Sequence, residues 1–200
     1  APGRARLRAR PSSPAPPEDG PEQPRRAQQP QRHGQRVEVG VALGDLDGDG
    51  KDEIAIGGAV VTVPGKKGAS IPAVFIFKYT GTAVSYFLRI QDPTGNQGSG
   101  FGGGLYGSGV AIGNIDGNPG NELVVGARYA NTNGLVYVFP FPASQTNYFT
   151  LSGPGPNFGE GLGIADVNTD GYTDLVVITG DQFSGSDTTA KALVFAGNVR

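Results

Sequence analysis

The 200-residue chain contains no cysteine, no methionine and no tryptophan, and its one histidine is His33. Without cysteine there is no disulfide framework, and the redox compartment stays open. With the sole imidazole near the start, a Ser-His-Asp or Cys-His arrangement is excluded from the rest of the chain. Transition-metal sites built on His or Cys are excluded there too. Apolar runs are short: none approaches the roughly twenty residues that span a bilayer, and no secretory signal is seen. The first residue is Ala rather than Met, so the expectation is a fragment or processed piece, and the missing signal does not argue against secretion.

Charge divides the chain in two. Residues 1–36 hold eight Arg and eight Pro against Glu18, Asp19 and Glu22, a net +5; the remainder carries eight basic and fifteen acidic residues, a net −7. The first segment has no apolar periodicity to offset its ordering entropy, and it reads as a disordered, solvated linker. An arginine-rich tail could meet nucleic acid, anionic lipid or an acidic partner. Arg4, Arg6, Arg8 and Arg10 alternate, however, without an aromatic residue to stack on bases, and nothing resembles a nucleic-acid-binding fold.

From residue 37 onward, helix signals are poor while Gly and β-branched residues abound. Short apolar runs recur between Gly/Asn/Asp turns: Val41–Leu43, Ile54–Ile56, Val74–Phe77 and Tyr86–Ile90. A second set follows at Val110–Ile112, Leu123–Val125, Val136–Phe139 and Tyr148–Leu151, and a third at Leu162–Ala165, Leu175–Ile178 and Ala192–Phe195. These predict strands, four to a unit, with the last unit ending after its third. Four-stranded units at this spacing suit an all-β, β-propeller architecture with blades over about 37–97, 98–152 and 153–200. A propeller closes with about four to eight blades, so the expectation is a partial one.

An acidic loop joins the first two strands of each unit. The loops are D-L-D-G-D-G-K-D-E from Asp45, N-I-D-G-N-P-G-N-E from Asn114 and D-V-N-T-D-G-Y-T-D from Asp166. Oxygen-bearing side chains stand at positions 1, 3, 5 and 9, a spacing that points several hard donors at one centre, as Ca2+ requires. In the first loop the ligands would be Asp45, Asp47, Asp49, the Lys51 carbonyl and Glu53. The third would use Asp166, Asn168, Asp170, the Tyr172 carbonyl and Asp174. The second, with Asn114, Asp116, Asn118, the Gly120 carbonyl and Glu122, is weaker: two amides lower its charge. Pro119 stands where the others have Gly, and proline cannot take a positive φ. An EF-hand would need a Glu at position 12, where Ile56 and Val177 stand, and flanking helices. For any single loop, a plain Asp/Gly turn held by its own hydrogen bonds is the competing reading. Three copies in register favour a cation.

The combination resembles the FG-GAP (VCBS-type) repeats of integrin alpha-subunit propellers. Phe158-Gly159 precedes the loop from Asp166 to Leu175, and Tyr106-Gly107 stands in the same place before the second loop. Gly126-Ala127-Arg128 takes the place of the family's Gly-Ala-Pro, whereas Val37-Glu38 and Gly57-Gly58-Ala59 are degenerate. The resemblance covers residues 37–200. It implies calcium loops between the first two strands of each blade, and a non-catalytic module for extracellular or cell-surface recognition or adhesion. Its partner would be a protein or glycan, with no nucleic acid and no direct membrane insertion. The alternatives are a lectin-like propeller with inter-blade pockets lined by Tyr and Asn, or an accessory domain of a secreted hydrolase or lyase.

Other candidates carry less. Gly98–Gly104 lacks the Lys-Ser/Thr and the helix of a phosphate loop and reads as the entry to the second unit. Glu160 reads as an ordinary residue at the start of the third. Tyr79, Tyr86, Tyr106, Tyr129, Tyr137 and Tyr148 could rim a ligand site, but most are expected to pack between blades.

Overall fold

The computed structural model describes residues 40–62, 70–95, 109–140, 142–180 and 191–197. The Arg- and Pro-rich segment, Val37-Glu38, Tyr106-Gly107 and Gly98–Gly104 lie outside the described residues.

Eleven strands and no helix are formed among the described residues. The first sheet holds β1 (Val41–Gly44), β2 (Glu53–Thr62), β3 (Ser70–Tyr79) and β4 (Val84–Gln91); the second holds β5 (Val110–Gly113), β6 (Glu122–Ala127), β7 (Leu135–Phe139) and β8 (Phe149–Leu151). The third holds β9 (Gly161–Ala165), β10 (Asp174–Thr179) and β11 (Lys191–Phe195). Each is an antiparallel meander in chain order. All eleven apolar runs fall on these strands, with Tyr148 one residue before β8.

Register puts the first hairpins of the three units in residue-by-residue correspondence. Gly44 pairs with Glu53, Gly113 with Glu122 and Ala165 with Asp174, so each acidic loop is the turn between the first two strands of its sheet. The first strands stand side by side, β1 against β5 and β5 against β9.

Alternation along the strands sends large side chains to one face and smaller ones to the other, the period-two rule of a pleated strand. Between the first two sheets, Ala55, Val74 and Ile76 of one meet Val110, Tyr137 and Phe139 of the other in a single apolar cluster. Between the second and third, Ala111, Val124 and Val136 meet Phe158, Leu175 and Val177. The second sheet is therefore buried on both faces: every residue of β6 is buried. Backbone approach at this junction is close. A Cβ on Gly126 would stand 1.9 Å from the Gly159 carbonyl oxygen, a position only glycine can fill.

The tyrosine expectation needs correcting. Tyr137 alone among the described candidates is fully buried between sheets; Tyr79, Tyr86 and Tyr129 are exposed, and Tyr148 is exposed while its ring lies tilted, 5.6 Å from that of Tyr137. Tyr79 and Tyr86 stand on β3 and β4, on the face of the first sheet turned away from the second.

Candidate metal centre

Each acidic loop is fastened by the carboxylate at position 9, which accepts the backbone N–H of position 2. Glu53 accepts from Leu46 at 2.9 Å, Glu122 from Ile115 at 2.8 Å and Asp174 from Val167 at 3.0 Å. All three acids are buried. Asp174 spends its other oxygen on the Gly197 N–H at 2.9 Å, so it acts chiefly as the fastening of its loop. Burial pushes the carboxyls of Glu53 and Glu122 above the usual range, against the pull of those same N–H groups.

The first loop folds around Asp45, whose two oxygens accept Gly48 N–H at 2.7 Å, Asp49 N–H at 3.1 Å and Gly50 N–H at 2.9 Å. Asp49 accepts the N–H of Lys51 at 2.9 Å. Gly48 and Gly50 take φ of 78° and 84°, the left-handed region that costs glycine least. One carboxylate oxygen from each of Asp45, Asp47 and Asp49 lies within 4.8 Å of the others. Ca2+ ligands at 2.3–2.6 Å span at most about 5 Å across the sphere, so this donor set fits a single hard cation. The group could hold a metal ion, and its oxygens are the chemistry that Ca2+ prefers to softer metals.

The sequence reading missed what already stands among these oxygens. The Lys78 ammonium forms ion pairs with Asp47 and, at 3.0 Å, with Asp49, and lies 3.9 Å from Glu53. It also sits 4.8 Å above the Phe87 ring. The hydrogen bond from Lys78 holds the Asp49 carboxyl below its usual range, and Asp47 and Asp49 together raise the lysine. Lys78 pairs across the sheet with Glu53. The signal was present in the repeat: the third strand run of each unit ends on Phe77, Phe139 or Phe195, and the next residue is Lys78, Pro140 or Ala196.

The third loop brings Asp166, Asn168 and Asp170 together. The Asp170 N–H is shared by Asp166 at 3.2 Å and Asn168 at 2.9 Å, while Asp166 also accepts Gly171 N–H at 2.9 Å. The Tyr172 N–H is held by Asp170 at 2.9 Å. Gly171 repeats the positive φ of Gly50, at 88°. In the second loop that place is Pro119, and the left-handed residue moves on to Gly120 at 113°. The Asn118 amide donates to Asp116 at 2.8 Å, which takes up one oxygen of that loop's one carboxylate besides the buried Glu122.

Two further features stand near the loops. A groove of about 300 Å³ runs between the second and third loops, lined by Asn114, Ile115, Gly117, Gly171, Tyr172 and Thr173. Arg128, in the Gly-Ala-Pro place, pairs at 3.2 Å with Glu160. Both are buried, so Glu160 is an inter-sheet ion-pair partner rather than an ordinary entry residue. A scan against protein-family models and a search of curated proteins give no match to the chain.

Proposed function

We propose that residues 37–200 form a Ca2+-stabilised segment of an FG-GAP-type β-propeller, a non-catalytic module for extracellular or cell-surface recognition. One observation carries the reading: Asp45, Asp47 and Asp49 converge within 4.8 Å in a loop whose fastening recurs at the same turn of all three sheets. Side-by-side first strands and face-to-face stacking of successive meanders agree with blades arranged about an axis. The cation is structural in this reading: it neutralises clustered carboxylates, and its binding energy adds to stability. The test is thermal unfolding with millimolar Ca2+ against chelator, with Mg2+ as control. Ca2+ is expected to raise the melting temperature by several degrees, and Asp45→Asn with Asp166→Asn to abolish that rise. A melting curve indifferent to chelator would sink it.

A second reading, a glycan-binding module, is favoured by the groove between the second and third loops, which is lined by Asn114 of one unit and the exposed Tyr172 of the next. Binding on a glycan array, lost in Tyr172→Ala, would support it.

A further inference from the structure

Each sheet offers its neighbours two unlike faces. By register, Val41, Val110 and Leu162 are equivalent, as are Leu43, Ile112 and Ile164, and as are Gly44, Gly113 and Ala165. At the first junction Ile112 sits on Gly44, where an added Cβ would lie 2.5 Å from the isoleucine Cγ2. At the second, Ile164 sits on Gly113, where it would lie 2.8 Å away. The larger face of one sheet thus always meets the smaller face of the sheet before it.

Both terminal faces are left without a described neighbour. On the first sheet Val41 is 58% exposed, against 5% for its equivalent Val110, and Leu43 is 61% exposed. On the third sheet, Gly163, Ala165 and Val194 of the smaller face are exposed.

These two faces differ from the internal ones in ways that match each other. The glycine that receives an isoleucine is replaced by Ala165, and the incoming isoleucine by Leu43. Leucine has no Cγ2, the atom that makes the closest approach at both internal junctions. The added methyl on one side answers the missing branch on the other.

We propose that the smaller face of the third sheet binds the larger face of the first sheet of a second copy of this chain, head to tail. Head-to-tail contacts either close into a ring or run on as a filament. Two copies supply two sets of three sheets, a number within the range of about four to eight that closes a propeller. Closure rests on the propeller reading; the pairing of faces does not.

Sedimentation velocity on the full chain over a concentration series tests it. The expected species is a dimer, twice the 20.6 kDa chain mass. Leu43→Asp and Ala165→Arg change exposed residues on opposite faces, and each alone is expected to halve the mass. Their mixture, which keeps one sound junction, is expected to restore a one-to-one dimer. Circular dichroism confirms that each variant is folded, and Val41→Asp with Val194→Arg provides a second pair. A wild-type monomer even at high micromolar concentration overturns the proposal and leaves a further repeat as the occupant of these faces. A dimer lost in Leu43→Asp but kept in Ala165→Arg means that larger faces pair with each other, which also overturns it. Growth without limit keeps the head-to-tail contact and overturns closure, and with it the propeller reading, whatever the chelator experiment shows.

Discussion

Lys78 supplies to the first loop, from the protein itself, the positive charge that the aspartates would otherwise take from solution. A divalent ion entering there must displace an ammonium that pairs with Asp47 and Asp49. Lys78→Met is therefore expected to tighten Ca2+ binding to the first loop, by a factor of roughly five to ten for one like charge removed near the surface. The same variant should melt lower than wild type in chelator, since three carboxylates then face one another unpaired. Lanthanide luminescence and a melting curve read the two effects, and a binding change without the chelator penalty would contradict this account. The loop carboxylates were legible because their spacing is local. Lys78 was not, because it meets them only through the register of β2 with β3. Tyr137 makes the pH prediction. Burial, reinforced by the negative charge of Asp92, holds its phenol above the ordinary value. Its contribution is full below the unfolded pKa of about 10 and is lost as pH rises toward the folded value, because there the unfolded chain has released a proton that the folded one keeps. Stability measured by urea unfolding should fall above that pH, and fall less steeply in Tyr137→Phe.

At the scale of strands and sheets, the sequence was read well where a run could bury itself against its own neighbours. Short apolar runs and the turns between them located every described strand, since both signals lie within about ten residues. Contacts between sheets were less visible. Phe158-Gly159 was noticed as a motif, but its partner Gly126 becomes evident only when the third sheet lies against the second. Gly126→Ala should cost about 1–3 kcal/mol in chemical denaturation, as overpacking against backbone that cannot move aside. The Arg128–Glu160 pair crosses the same junction. Arg128→Met leaves a buried carboxylate without this partner and should cost about 3–5 kcal/mol, whereas Arg128→Met with Glu160→Leu should recover most of the loss. If the double variant is as unstable as the single, the ion pair is not what joins these residues.

For the whole molecule, the order of the sheets and the fastening of the loops have separate consequences. Order gives the array unlike ends. Fastening means that every loop already holds its turn through its own side chains and the acid at position 9, with no cation needed to set its path. Such a loop is preorganised, so a bound ion has little ordering entropy left to overcome. It also has little shape left to change. Loading should then be nearly invisible to a measurement of molecular size, and should register instead as slower migration of an acidic protein toward the anode.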